Sequence, residues 1–207
     1  NFRVVRVGTD NDSRAAGNLV KEWRDRADAI GLGMVHDHYW VGTNQFHQKD
    51  TAHLEQLAGD TLVTTGARLR EIVQEWSLRM AQEQLGQFFN NAKVLFMSGT
   101  TNYRLASVMA EFTRNLSFAD PVLQFGTPTV LNSLQALELY AAGSRPLLRF
   151  SPGKGVLPSL AAGRLATRLL LKKAVKDADV IVAPYHQLER YGRAELDGKV
   201  VLTSTIS

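Results

Sequence analysis

Apolar residues along this chain come in two rhythms, short unbroken runs and i, i+3, i+4, i+7 stripes, and the two alternate from one end to the other. Phe2 to Val7 is a β-branched run closed by Gly8, and the polar stretch Thr9 to Ser13 offers several cap oxygens. Ala16, Leu19, Val20 and Trp23 then fall on one helical face. Ala27 to Met34 and Thr61 to Thr65 read as further strands. The second leads into a long helix with Leu69, Ile72, Val73, Trp76 and Met80 on one side, which Gly86 is expected to end.

The pattern restarts at Asn90-Asn91. Lys93 to Met97 is an apolar strand, Ser98 to Thr101 a polar turn, and Leu105, Val108, Met109 and Phe112 mark a helix. Pro121 to Phe125 reads as a strand, and Thr127-Pro128 as a cap with proline at the first helical position, opening a helix with Val130, Leu131, Leu134 and Leu137. Asp179 to Ala183 and Lys199 to Thr203 are two more buried-type strands. Nearly continuous apolar strands alternating with helices predict an α/β fold, a Rossmann-like parallel sheet with helices on both faces. Two lobes are expected, an N-terminal α/β lobe over 1–90 and a Rossmann-like lobe over 91–207 that continues past Ser207.

The 207 residues, 44% hydrophobic and 21% charged, suffice for a buried core and exclude a disordered chain. No apolar run reaches bilayer length. The absence of cysteine excludes disulfides, thiolate metal sites and a Cys nucleophile, and favours a reducing, cytoplasmic setting. The net charge of +4 is unevenly spread: the 32 residues from Arg145 to Lys176 hold eight Lys or Arg and no acid. Within them Arg164, Arg168, Lys172 and Lys176 recur every four residues as one stripe, with Leu160, Leu165, Leu169 and Leu170 beside it. Two readings follow: an interfacial helix on an anionic membrane surface, or a domain helix whose leucines cover the sheet. Nucleic acid is not expected, since aromatics for base stacking are missing from this helix.

Ligands of open parallel sheets bind beyond the carboxyl ends of the strands. Ser98, Gly99, Thr100, Thr101 and Asn102 follow such a strand and open a helix, which makes them the first candidate for a phosphate or carboxylate; the competing reading is a plain turn capped by Asn102. They do not form a G-x-G-x-x-G loop, and Gly126 and Thr127 stand where a ribose-binding acid is expected. His36, Asp37 and His38, followed by His47, Asp50 and His53, match no closed zinc spacing. We read His36, Asp37 and His38 as polar pocket contacts and assign no metal. Tyr185 and His186 follow another strand; His186 is the candidate general acid or base, with helix capping as its alternative.

Three stretches, ADAIGLG (Ala27 to Gly33), KVLFMSGTTNYRLASVM (Lys93 to Met109) with the later FGTP, and ADVIVAPYHQLERYGRAELDGKVVLTST (Ala178 to Thr205), resemble prokaryotic proteins of the quinate/shikimate 5-dehydrogenase-like group. The resemblance implies a Rossmann-like fold and an oxidoreductase with NAD or NADP as cofactor. The chain lacks the glycine-rich dinucleotide loop of true shikimate dehydrogenases, and their catalytic Lys and Asp pair and Ser-x-Ser substrate clamp have no evident counterpart in it. The expected function is therefore a dehydrogenase-like, nucleotide- or small-anion-binding domain. The alternative is a non-catalytic module that docks through the basic leucine-rich segment to an anionic membrane surface or acidic partner, alongside flanking domains or a second copy.

Overall fold

The computed structural model describes residues 2–10, 12–33, 38–150, 161–185, 187, 188 and 196–203, with only the backbone described for 145–150 and 161–164. Packing divides the chain into two compact units, residues 1–39 with 45–72, and residues 40–44 with 73–207.

In the first unit, Asp12 caps helix α1 (Ser13–Trp23) by accepting from Arg14 N and Ala15 N. Strands β1 (Ala29–Gly31) and β4 (Leu62–Thr64) run parallel, with Ile30 opposite Val63. Helix α2 (Lys49–Ala58) completes the βαβ unit, and Val20, Leu54 and Ala58 form its core with Ile30, Leu32 and Val63. A Cβ on Gly17 would lie 3.1 Å from Leu57, so the helices cross closely there. The stretch read only as a histidine-rich loop also contains a hairpin of β2 (Tyr39–Val41) and β3 (Asn44–Phe46), of which residues 40–44 group with the second unit. Phe2 to Val7, expected as a strand, has no regular structure, and Phe2, Val4, Val5 and Val7 are exposed. A β-branched run becomes a strand only where a neighbour takes its backbone bonds, and none among the described residues does.

The second unit is built on four parallel strands, β5 (Val94–Phe96), β6 (Leu116–Phe118), β7 (Val180–Val182) and β8 (Val200–Leu202), in the order β6-β5-β7-β8. The sheet is an α/β, Rossmann-like arrangement in which β5 and β7 are buried at every position. Leu95, Met97, Ile181 and Ala183 pack with Leu171 and Val175 of α7 (Ala161–Asp177). Val94, Phe96, Val180 and Val182 point to the other face by alternation and are equally buried.

Pro121 to Phe125 belongs to a short helix, α5 (Asp120–Phe125), with proline in its first turn and Gly126 at φ 67° closing it; the strand is the earlier Leu116–Phe118. A short apolar run does not by itself distinguish strand from helix. Thr127-Pro128 does not open the next helix, α6 (Leu134–Phe150). Phe118 N donates to Leu131 O (2.8 Å) and Leu131 N to Phe118 O (3.0 Å), which holds this segment extended along the edge of β6. Helix α4 (Tyr103–Phe112) lies where its stripe predicts, but α3 (Ala67–Gln84) does not bury the face read as its core side. Leu69, Ile72, Val73, Trp76 and Met80 are exposed, while Leu78 and Gln82 turn inward. Gln82 is drawn in because Phe89 N donates to its Oε1 and its Nε2 donates to Asn90 Oδ1. Among the described residues no helix is long and apolar enough to cross a membrane.

Candidate functional site

The chain order of the strands creates the site. From β5 the chain goes to β6 on one side, then crosses back to place β7 on the other, so the carboxyl ends of β5 and β7 flank a topological switch point. Apolar residues carry β5 through Met97, and Ser98 is the first polar group beyond it. After β7, Ala183 N donates to Leu202 O, and Pro184 O accepts from Gln187 N. Leu188 anchors this turn in the core. Ser98 Oγ donates to Gln187 Oε1 at 3.2 Å, tying the two strand ends together. Tyr185 and Gln187 are half-buried, as are Ser98 and Asn102, while Thr101 is exposed. Asn102 Nδ2 donates to Ser98 O (2.8 Å) and Thr101 Oγ1, so its side chain braces the turn and makes no helix-capping bond.

Deeper in the turn, Gly99 and Thr100 are buried against Asp120, which follows β6. Gly99 N donates to Asp120 Oδ2 at 2.8 Å; Thr100 N and Thr100 Oγ1 donate to Oδ1 at 2.9 and 2.7 Å. Gln124 Nε2 donates to Thr100 Oγ1, and Tyr140 OH donates to Gln124 Oε1 at 2.7 Å. Burial pushes the Asp120 carboxyl up, against the opposing pull of the bonds from Thr100 and Gly99. The carboxylate thus occupies the place at these two amides that an incoming anion would take. Gly99 answers to packing as well: a Cβ there would stand 2.3 Å from the Phe118 ring.

Asp120 and Gln187 escaped the sequence reading. Misplacing β6 moved the expected acid to Gly126 and Thr127, whereas Asp-Pro after Leu-Ser-Phe-Ala is itself a helix-start signal. Gly126 and Thr127 finish α5 instead: Thr127 N and Oγ1 both donate to Pro121 O, and Gly126 O accepts from Thr167 Oγ1. His38 belongs to the first unit, where its Nδ1 accepts from Gln48 N (2.9 Å) and its Nε2 faces Glu55 at 3.2 Å. The Gln48 bond leaves the ring proton on Nε2, so His38 donates to Glu55 and both nitrogens are used. His36, Asp37 and His186 lie outside the described residues. No three His, Asp or Glu residues gather as a metal-holding group among the described residues. In the basic stripe Arg168, Lys172 and Lys176 are exposed on α7; Arg164 is on the same helix, its side chain not described.

Two cavities open at the opposite, amino ends of the strands. One of about 580 Å³ in the first unit is lined by Arg24, Asp25, Asp28 and Asp60; one of about 400 Å³ in the second includes Lys93, Arg114, Asn132, Lys173 and Asp177.

Residues 68–207 match the family model described as a domain of unknown function (DUF8754). The chain belongs to the DUF8754 family. Residues 1–65 match a second model, a domain of unknown function (DUF8753). No curated protein and no solved structure matches the chain.

Proposed function

We propose that the second unit binds a hydroxyl-bearing small molecule, a nucleoside or nucleotide, at the carboxyl ends of β5 and β7. Ser98, Thr101, Asn102, Tyr185 and Gln187 are its contacts. The observation that carries this reading is the Ser98–Gln187 bond across the switch point, which brings two polar side chains from separate strand ends to one place. These groups are uncharged hydroxyls, a phenol and carboxamides, suited to ribose hydroxyls and base edges. Asp120 holds the Gly99 and Thr100 amides, so a phosphate on the ligand is directed away from the turn. NAD(P)-dependent hydride transfer draws less support than binding does, because a diphosphate in the usual position needs those same amides. His186, next to Tyr185 in the chain, is the residue proposed to move a proton if the site is catalytic.

Thermal unfolding with adenosine, AMP, NAD(H) and NADP(H) tests the assignment. A ligand at a hundred times its dissociation constant stabilises the native state by about 2.7 kcal/mol and raises the melting temperature accordingly. A shift with at least one of them, removed by Ser98→Ala with Gln187→Ala, is expected. Absence of any shift, or a shift unchanged in the double variant, overturns the reading.

A further inference from the structure

Helix α7 separates its leucines in a way that periodicity alone does not settle. Leu171 is 5% exposed and packs with Val175 and Ala178 in the core, with Leu170 and Ala174 against it. Leu165 and Leu169 face away, at 61% and 58% exposed. At 100° per residue, Lys172 and Lys176 fall within the same outward sector as these two leucines, with Arg168 and Lys173 at its margins. All four cations are exposed. The outer face of α7 is therefore two bare leucines ringed by basic residues, within a 32-residue stretch that contains no acid. A sheet-covering helix needs only the inner face, and the outer leucines contribute nothing to the core described.

We infer that this outer face is a docking surface for an anionic lipid bilayer, independent of the proposed ligand site. Charge complementarity selects an anionic occupant. The leucines decide between lipid and an acidic protein: both project well exposed from the helix, and hydrocarbon accepts exposed leucine without a matching shape. Arg168, Lys172, Lys173 and Lys176 sit beside them, where cations contact headgroups while Leu165 and Leu169 enter the acyl boundary.

The test is co-sedimentation of the full chain with vesicles of phosphatidylcholine alone, or of phosphatidylcholine with about three-tenths phosphatidylserine, at low salt. Binding to the anionic vesicles only is expected. Each cation near an anionic surface strengthens binding roughly fivefold, so Arg168→Gln, Lys172→Gln and Lys176→Gln together weaken it on the order of a hundredfold. Leu165→Ser with Leu169→Ser weakens it roughly tenfold or more, while circular dichroism stays native because both positions are exposed. No binding by the unaltered chain overturns the inference, as does binding that both variants retain. Loss in the cation variant without loss in the leucine variant, or equal retention on polyaspartate beads, assigns the face to an acidic partner and overturns the lipid assignment.

Discussion

Removing the Asp120 carboxyl is the sharpest perturbation of the second unit, because three donors from one turn converge on it. In Asp120→Ala, Gly99 N, Thr100 N and Thr100 Oγ1 lose their acceptor inside the fold. Each buried donor left without a partner costs about 1–3 kcal/mol. The variant also gains, since a carboxyl with a raised pKa no longer has to be buried. Taken together, we expect a net loss of about 3–5 kcal/mol, of the order found when one partner of a buried polar pair is removed. Against a domain stability of about 5–15 kcal/mol, that is a large shift of the urea midpoint. Circular dichroism and tryptophan fluorescence should be followed together, since the chain has two units. Asp120→Asn should be milder, about 1–3 kcal/mol, as its amide keeps one acceptor and turns a donor toward the turn. The pH dependence then separates charge from shape. The folded pKa of Asp120 is raised, so between its unfolded value of about 3.9 and its higher folded value the native state binds more protons than the unfolded state. Stability from this group accordingly falls as pH rises through that window, and Asp120→Asn should lack this component of the slope. If Asp120→Ala unfolds within about 1 kcal/mol of the unaltered chain, the network does not hold the turn; if Asp120→Asn shows the same slope, the buried carboxyl is not the source of that slope.

Gly99→Ala puts a Cβ 2.3 Å from Phe118, whose ring stacks on Phe96, so a loss of about 1–3 kcal/mol in urea unfolding is expected; an unchanged midpoint would refute the packing requirement. On α7, Leu171→Ala should cost about 2–4 kcal/mol and Leu169→Ala less than about 1, a contrast that urea titration of the two variants reads directly. Arg79 bonds Glu75 and Glu111, and Arg104 also bonds Glu75, a half-exposed network linking α3 and α4. Arg104 and then Arg79 hold Glu75 below the usual carboxylate range, and Arg79 does the same for Glu111. The stability these pairs contribute is present above the unfolded carboxylate pKa and lost as pH falls through the lowered folded values. Arg79→Gln should remove the Glu111 part of that acid-side loss and shrink the Glu75 part, which Arg104 still holds, and its small effect on melting should vanish at roughly 1 M salt, where the Debye length is about 3 Å.

The amino-acid sequence by itself determined what depends on local pattern and on total burial. Continuous apolar runs such as Val94–Phe96 and Val180–Val182 can satisfy their side chains only between two covering layers, so a parallel α/β sheet is legible in the sequence alone. The polar residues that follow those runs, Ser98 and Tyr185, were legible as strand-end groups for the same reason. What the pattern does not carry is which surface each stripe meets. The Leu69-to-Met80 face of α3 reads like a core face and the Leu165–Leu169 face of α7 fits a sheet or a membrane equally, yet both lie exposed, because helical periodicity marks an apolar side without naming its partner. Only the tertiary structure placed Asp120 against the amides of Gly99 and Thr100, twenty or so residues earlier in the chain, and Gln187 beside Ser98. Those contacts depend on strand order, and the crossover that sets β7 beside β5 is a long-range event that no local window of sequence contains.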